Sequence, residues 1–381
     1  MNVNDQMLTA RLQEFSAPGE IEAGERGRRI VLAAFAERTP ARRRRLRWPR
    51  LVWPVLAALL AAGAVAVAGH LRDSSSRGSR APFAPVELTN GVVLALGRGV
   101  AYAVDARGRV RSLGQATDGD LSPHGTNAVV ASGSGLLAVH VADGQVRWRV
   151  PAPGPVSLPR WSLERTVPPC CRVAYLARGA LYVVGGDGRG ARRVAAHALA
   201  VAPAWRPLGA KHELAFAVPG GVRILSTDGR AAGARVPTAV PLALSWRADG
   251  RVLAVIDSAG ATLYNAAGKR LQRIPVRGGS ALDGGFAPAG DRLVILRRDL
   301  SGRTTLLVRD TSGPLRPVRH LLLTAVGDLR FSPDGTSALV ASREGDEWID
   351  IRLRDGRQMR LRRVGERLRA GLMPRALAWA G

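Results

Sequence analysis

One pattern returns six times along this chain and constrains its fold more than any other feature. In four copies an aromatic residue or Leu is followed by a short polar turn that ends in Gly and then by a run rich in aliphatic residues, and the copies at Trp161 and Trp205 are weaker. The clearest copy is the run Phe331-Ser-Pro-Asp-Gly335. The anchor residues, which are 40 to 45 positions apart, are Leu121, Trp161, Trp205, Trp246, Phe286 and Phe331. Such a period indicates repeated structural units that stack on one another.

A second turn follows each anchor about 20 residues later. Most of these turns end in Asp-Gly, which favours tight hairpins because Gly tolerates positive φ and Asp accepts hydrogen bonds within its own turn. Examples are Ala142-Asp-Gly144 and Thr227-Asp-Gly229. Each unit is therefore predicted to be a meander of strands that cannot bury its faces alone. The length and the meander are those of one four-stranded blade of a β-propeller.

The two ends of the repeat region complete the count. At the C-terminal end, residues 376–379 repeat the first strand of a unit with its aromatic residue, as in residues 243–246. At the N-terminal end, residues 92–96, 100–104 and 109–113 predict three strands of a blade whose first strand is missing. Joining the C-terminal strand to these three would close the ring and remove the exposed sheet edges. We therefore predict an all-β, seven-bladed propeller over residues 86–381, with six or eight blades as alternatives.

The Phe331-Ser-Pro-Asp-Gly335 run resembles the repeats of TolB-like and WD40-like propellers, and the resemblance covers residues 86–381. The Gly-His and Trp-Asp dipeptides of WD40 blades are absent. Residues 137–148, which end in Trp148, are instead similar to a blade of the pyrroloquinoline-quinone type. That likeness implies a weaker alternative, a quinone-dependent propeller enzyme.

Residues 51–69 contain no charged side chain. At about 1.5 Å per residue, 19 helical residues span roughly the 30 Å hydrocarbon core of a bilayer. Six arginines lie within residues 42–50, against three within 72–80, which predicts a cytoplasmic N-terminus. We predict a retained transmembrane helix over residues 48–70 rather than a cleaved signal peptide, and a flexible linker over residues 71–85.

The first 47 residues have two short amphipathic patterns, one with Leu8, Leu12 and Phe15 and one around Ile30 and Phe35. They predict a helical cytoplasmic tail that lies on the membrane surface, frays in water or docks into a partner's groove. The layout resembles that of transmembrane anti-sigma regulators. It departs from the zinc-containing class because the tail has neither His nor Cys.

The formal net charge is +26, and all but two of the 56 basic residues are arginine. This composition indicates a high-GC bacterial, actinobacterial-type coding sequence with dispersed, solvated arginines. Attraction to a polyanion such as lipid headgroups, a wall polymer or nucleic acid is the alternative, and we expect no nucleic acid partner.

Candidate catalytic and metal-binding residues are weakly supported. The adjacent Cys170 and Cys171 are expected to be thiols, a redox or intermolecular pair being the alternative. The six histidines lack metal-ligand spacing and are expected on surfaces or strand faces; they are His70, His124, His140, His197, His212 and His320.

The remaining motifs are expected to be turns. Residues 185–190, Gly-Gly-Asp-Gly-Arg-Gly, predict a hairpin turn rather than a phosphate loop. Two acidic groups are expected to be solvated turn residues rather than Ca²⁺ ligands, the first being Asp118 and Asp120 and the second Glu344, Asp346 and Glu347. A Gly-x-Ser-x-Gly elbow is absent.

Together these observations predict a single-pass protein of the cell membrane with an extracytoplasmic propeller. No catalytic, cofactor-binding or metal-binding residue is assigned, and no enzyme activity is expected. The favoured function is a non-catalytic scaffold for a protein or cell-envelope ligand. The alternative is a regulator of anti-sigma type, whose tail binds a cytoplasmic factor while the propeller senses outside conditions.

Overall fold

The computed structural model of the chain describes residue 88 and residues 90–133, 135–163, 171–207, 212–227, 234–238, 240–288, 290–310, 313–321, 326–342, 346–368 and 374–381. The predicted tail, transmembrane helix and linker lie outside these residues. Within the described part of the chain, no helix is long and apolar enough to cross a bilayer.

Twenty-eight strands in this part of the chain form seven antiparallel sheets of four strands each, the blades. Blade 1 has the order β28-β1-β2-β3, and blades 2 to 7 use the following strands in groups of four. The innermost strands are β28 (Arg375–Ala380), β4 (Asp118–Leu121), β8 (Val156–Trp161), β12 (Ala204–Trp205), β16 (Ala243–Trp246), β20 (Gly279–Phe286) and β24 (Val326–Phe331). Each contacts the innermost strand of the next blade, and β28 contacts β4, so the ring closes.

The other strands follow in three further rings. The second strands are β1 (Val92–Gly97), β5 (Asn127–Ser132), β9 (Arg172–Ala177), β13 (Glu213–Val218), β17 (Val252–Asp257), β21 (Leu293–Asp299) and β25 (Ser337–Ser342). The third strands are β2 (Val100–Asp105), β6 (Gly135–His140), β10 (Ala180–Gly185), β14 (Gly221–Ser226), β18 (Gly260–Asn265), β22 (Thr304–Arg309) and β26 (Glu347–Arg352). The outermost are β3 (Val110–Gln115), β7 (Val146–Pro151), β11 (Arg192–Ala195), β15 (Ala234–Pro237), β19 (Arg270–Pro275), β23 (Arg316–Leu321) and β27 (Gln358–Arg362). A single helical turn, α1 (Val364–Arg367), precedes β28.

The predicted closure is confirmed. β28 pairs antiparallel with β1, with Trp379 opposite Val93 and Ala380 opposite Val92. The chain needs Gly91 at this junction because its φ is +70° and a Cβ would lie 2.4 Å from the carbonyl oxygen of Ala380. The predicted seven blades and three upstream strands are therefore present.

The second strands show why a single blade cannot fold alone. β17 reads Val-Leu-Ala-Val-Ile-Asp and is buried on both faces over its first five residues. Continuous apolar runs of this kind occur where both faces of a strand are covered, here by the neighbouring blades. The core is accordingly divided among the seven contacts between adjacent blades.

The repeated anchor residues occupy these contacts. Each of seven hydrophobic clusters contains one anchor, and the anchors are Leu121, Trp161, Trp205, Trp246, Phe286, Phe331 and Trp379. Two of the tryptophans also bond the preceding blade: Trp205 Nε1 donates to the carbonyl oxygen of Arg160 at 2.9 Å, and Trp246 Nε1 to that of Ala204 at 3.1 Å. The 40-residue period is thus the period of contacts between blades.

Candidate functional site

The innermost strands carry seven charged side chains, and we call this set the hub. It consists of Asp118, Asp120, Arg160, Asp283, Asp328, Arg330 and Arg375. They are contributed by blades 1, 2, 3, 6 and 7, whereas β12 and β16 of blades 4 and 5 carry no charge. The charge is therefore concentrated on one side of the central opening.

Carboxylates of the hub bind backbone N–H groups of the following blade. Asp118 Oδ2 accepts from the N–H of Leu158 at 2.9 Å, and Asp120 Oδ2 accepts from that of Trp161 at 2.8 Å. Asp283 Oδ2 accepts from the N–H of Leu329 at 3.3 Å. An innermost strand pairs on one side only, so its other edge presents polar groups that need partners. These side chains supply them.

Ser245 serves the same purpose on the uncharged side of the opening. Its Oγ accepts from the N–H of Phe286, in the next blade, at 2.9 Å. Ser245 and Asp120 occupy the same position in their repeats, one residue before the anchor. These two repeats therefore place a hydrogen-bond acceptor at this position for a structural purpose, whereas the other repeats carry Arg, Ala or Gly there.

Guanidinium groups of the hub satisfy carbonyl oxygens. Arg330 donates from Nε to the carbonyl oxygen of Leu377 at 2.5 Å and from Nη1 to that of Leu329 at 2.6 Å. Its Nη1 also lies 3.8 Å from Asp283 Oδ2. Arg375 pairs with Asp328 at 3.2 Å, which joins blade 1 to blade 7 at the closure. A half-buried ion pair of this kind is stabilising when its hydrogen bonds are also satisfied.

The backbone is irregular at the hub. Leu158 and Asp328 have φ values of +50° and +54°, and the pairing register shifts within β8, β20 and β24. Bulges of this kind redirect side chains and free backbone groups. At Leu158 the freed N–H is the one that Asp118 binds. The irregular backbone thus supplies an N–H group for a polar contact between blades.

Burial raises the pKa of two hub carboxyls. The pKa of Asp120 rises to about 6 because removal from water outweighs the opposing effects of Arg160 and Arg330. The pKa of Asp283 is raised for the same reason, although Arg330 and two backbone N–H groups act against it. Outside the hub, Asp350 on β26 is also buried, and its pKa rises to about 6. Loss of solvation is thus the dominant influence at these groups.

The hub corrects the sequence interpretation of one acidic pair. Asp118 and Asp120 lie on β4 and bond backbone groups, so they are not solvated turn residues. Of the second group, Glu347 is buried on β26 and pairs with Arg360 at 3.1 Å, while Glu344 lies outside the described residues. Asp346 accepts from the N–H of Gly365. In the part of the chain that the structure describes, no three His, Cys, Asp or Glu residues are grouped as a metal site.

The hub residues on blades 6 and 7 were missed by motif analysis, although the repeat contains a signal for them. Asp118, Asp283 and Asp328 each lie three residues before their anchors. Aligning the repeats on the anchor would have placed these acids in one column. The bulges that accompany them have no comparable sequence signal.

The outermost strands show a second charge pattern, which we call the rim. The seven strands contain no Asp or Glu and twelve arginines, namely Arg111, Arg147, Arg149, Arg192, Arg193, Arg235, Arg270, Arg273, Arg316, Arg319, Arg360 and Arg362. Ten are exposed, and Arg319 and Arg360 are half-buried. The sequence predicts dispersed, solvated arginines, and these twelve are spread over all seven blades; the fold also brings them to the circumference, because every fourth strand lies there.

The remaining candidate motifs have structural positions. Residues 185–190 include the hairpin turn between β10 and β11, as predicted, with the N–H of Gly188 donating to the carbonyl oxygen of Gly185 at 2.9 Å. Trp148 donates from Nε1 to the carbonyl oxygen of Gly186 in the next blade at 2.8 Å. Of the histidines, His140 and His320 lie on strands, His124 and His197 are exposed, His212 is half-buried, and His70 lies outside the described residues.

Cys171 is disulfide-bonded, so the expectation of a thiol at this position is wrong. The residue is half-buried and packs against the cluster that contains Trp161. The chain's only other cysteine is the neighbouring Cys170. A disulfide between neighbouring cysteines closes only a small local ring, so it adds no cross-link between distant parts of the chain.

No family model matches the sequence, and no curated protein matches it. Solved structures do. Hydrazine synthase of Kuenenia stuttgartiensis is similar over 62% of this chain and 76% of its own, with a TM-score of 0.51 and 14% identity. The β-propeller domain of Myceliophteria thermophila Cps50 (Swd1) is similar over 65% of this chain and 85% of its own, with a TM-score of 0.54 and 13% identity. At these identities the likeness shows the fold alone, and the part of the chain that the structure describes is a seven-bladed β-propeller.

Proposed function

We propose that the chain is a membrane-tethered, extracytoplasmic propeller that acts as a non-catalytic binding scaffold. The observation that carries the non-catalytic part is the use of the hub carboxylates. Asp118, Asp120 and Asp283 each accept a hydrogen bond from a neighbouring blade, and Asp328 is paired with Arg375. Both oxygens of Asp118 and Asp283 accept backbone hydrogen bonds, which leaves neither carboxylate free to exchange a proton with a substrate.

The membrane part of the proposal is supported by sequence. Nineteen uncharged residues precede the propeller, and arginine is more frequent on their N-terminal side. Alkaline carbonate extraction of membranes, combined with labelling of single cysteines introduced at position 10 or 300, tests this directly. The chain should stay in the pellet, and only the cysteine at position 300, which replaces the exposed Leu300, should react with an impermeant reagent from outside.

The scaffold role predicts that hub substitutions affect folding and not turnover. We expect Asp120→Asn and Asp283→Asn to change the melting temperature, and the purified full chain to show no hydrolase or dehydrogenase turnover. Turnover that disappears in a hub variant of unchanged melting temperature would overturn the proposal. Hydrazine synthase is an enzyme by its name, but 14% identity transfers the fold and no chemistry.

The amphipathic tail favours a second candidate, a regulator of anti-sigma type. Residues 1–47 carry apolar positions at helical spacing, which suits insertion into a partner's groove. Pull-down with the full chain in detergent, compared with a variant in which Leu8, Leu12 and Phe15 are changed to Asp, tests this role. Specific loss of one cytoplasmic protein in the variant would favour the regulator, and identical captures would exclude it.

A further inference from the structure

We propose that the outermost strands of blades 1 to 3 dock on anionic phospholipid headgroups, so that the tethered propeller lies edge-on against its membrane. The proposal rests on the membrane tether proposed above. We call this surface the arc. It comprises β3, β7 and β11, and its arginines are Arg111, Arg147, Arg149, Arg192 and Arg193.

The arginines of the arc differ from those on the opposite side in their partners. Among the described residues, only Arg147 of the arc has a carboxylate within 4 Å, Asp143 at 3.9 Å. On blades 5 to 7, four of the six rim arginines have a carboxylate within 4 Å. Arg273 pairs with Asp257 and Arg316 with Asp310, while Arg360 and Arg362 both pair with Glu347. Positive charge on the rim is therefore left uncompensated mainly on one side.

Protection of sheet edges does not account for this difference. Charged side chains on an edge strand prevent pairing with another molecule, and all seven outermost strands need that protection equally. Whether a rim arginine is paired with a carboxylate of its own blade is a separate property, and it differs between blades 1 to 3 and blades 5 to 7. The five arginines lie on the outermost strands of three adjacent blades, and their like charges repel one another. An anionic surface outside the chain would relieve this repulsion.

The arc is held in a fixed geometry. Trp148 Nε1 on β7 donates to the carbonyl oxygen of Gly186, in the turn that leads to β11. The guanidinium group has a planar set of donors that matches phosphate oxygens. Val110 and Val146, at the starts of β3 and β7, are 38% and 42% exposed and add apolar contact beside the charges. The arc thus combines cationic and apolar groups, as membrane-surface elements do.

The position of the tether favours a bilayer as the occupant. The linker predicted from the sequence, residues 71–85, would have a root-mean-square span of about 20 Å if it behaved as a Gly/Ser-rich chain. The chain enters the propeller through β1 of blade 1, the blade that also carries Arg111. The arc would therefore remain near the membrane surface at high effective concentration, where weak headgroup contacts suffice.

Hydrogen exchange of the full chain in lipid nanodiscs tests the proposal. Discs of phosphatidylcholine alone are compared with discs containing equal parts of phosphatidylglycerol. Amides of β3, β7 and β11 should exchange about tenfold more slowly in the anionic discs, because docking covers the outer edges of these strands. Amides of β19, β23 and β27 should exchange equally in both.

Two triple variants sharpen the test. In the variant with Arg111, Arg149 and Arg193 changed to Gln, the exchange rates of the arc amides in the two kinds of disc should differ by no more than about twofold. The reason is that each arginine removed weakens attraction to the anionic surface. The matched control changes the paired Arg273, Arg316 and Arg362 to Gln and should keep the full difference. The comparison of lipids on the unmodified chain tests the proposal even where a variant folds poorly.

The outcomes separate the arc from the tether. A chain that co-elutes with neither disc overturns the tether, and with it this inference. A chain that enters both discs but exchanges equally in them overturns the arc and leaves the tether intact. Slower exchange of the arc on adding double-stranded DNA to phosphatidylcholine discs, without an effect of phosphatidylglycerol, would assign the arc to a soluble polyanion and also overturn the inference.

Discussion

The hub and the rim are built from the first and fourth strands of the same repeated unit, yet they use charge in opposite ways. The hub has four carboxylates and three guanidinium groups, and they bond backbone groups or one another across blades. The rim has twelve arginines and no carboxylate on its strands, and seven of them lie beyond 4 Å of any carboxylate that the structure describes. Both are edges of four-stranded sheets, so the difference comes from their surroundings.

The comparison shows that the unpaired backbone groups of an edge strand can be satisfied in two ways, by side chains or by water. At the hub seven edges converge and an unpaired backbone group is costly, so short polar side chains of the preceding blade satisfy it. At the rim the edges diverge into solvent and water satisfies the backbone. There the remaining hazard is pairing with another molecule, which exposed arginines oppose. We expect substitutions at the hub to affect stability and substitutions at the rim to affect association.

The largest expected effect is removal of the hub strand β28. Deletion of residues 374–381 exposes the edge of β1 and removes Trp379, which is 8% exposed and donates to the carbonyl oxygen of Asn90. The remaining chain cannot close its ring, so cooperative unfolding should disappear in calorimetry. A truncated chain that melts as sharply and at the same temperature as the intact one would contradict the closure argument.

The next effect concerns Arg330, whose side chain is 22% exposed. Arg330→Leu leaves the carbonyl oxygens of Leu377 and Leu329 and the Asp283 carboxylate without their guanidinium partner. Loss of one partner of such a network should lower the free energy of unfolding by about 3 kcal/mol. Urea titration measures this loss. The matched rim variant Arg149→Leu should change it by less than about 0.5 kcal/mol, and an equal loss in both would remove the distinction between hub and rim.

The pH dependence of stability gives a third test. A carboxyl whose pKa is raised in the folded state binds its proton more tightly there than in the unfolded chain, so the folded state loses stability as pH rises from about 4 to about 6. Asp120 and Asp350 have such pKa values, and the pKa of Asp283 is raised as well. Asp120→Asn keeps an acceptor for the N–H of Trp161 and removes the ionisation. The fall in melting temperature between pH 4 and 6 should become smaller.

The opposite dependence is expected for turn carboxyls. The N–H of Arg357 bonds Asp355 and lowers the pKa of that carboxyl, as do the charges of Arg352 and Arg357. A lowered pKa contributes stability above about pH 4 that is lost as pH falls below it. Asp355→Asn should therefore leave the decline between pH 4 and 6 unchanged. A reduced decline in this variant and not in Asp120→Asn would reverse our assignment.

The smallest effect on stability is expected at the rim. Changing Arg111, Arg149 and Arg193 to Gln should leave the melting temperature within a few degrees, because these exposed side chains have no carboxylate partner among the described residues. Changing the same three to Val should also preserve the fold but promote self-association, since it unmasks three sheet edges. Light scattering at equal concentration measures this. Equal scattering by the Gln and Val variants would show that the arginines do not protect the edges.

The sequence by itself determined the fold to a large degree. Anchors such as Trp246 and Phe286 recur with the period of a blade because each must fill the same space between blades. The residues 376–379 also indicated how the ring closes, because three strands at the start of the repeat region and one strand at its end together make one complete blade. The local sequence pattern was enough to predict structure wherever every unit places the same residue type in the same environment.

Only the tertiary structure decided what the charged residues do. The sequence shows Asp118 and Asp120 as acids near a turn, and the structure shows them bound to N–H groups of Leu158 and Trp161, about 40 positions away. Likewise, Arg111 and Arg193 are far apart in sequence and share the rim because every fourth strand reaches the circumference. Apolar burial follows a local period, whereas a charge acts on whatever the closed ring places beside it, and that arrangement exists only after folding.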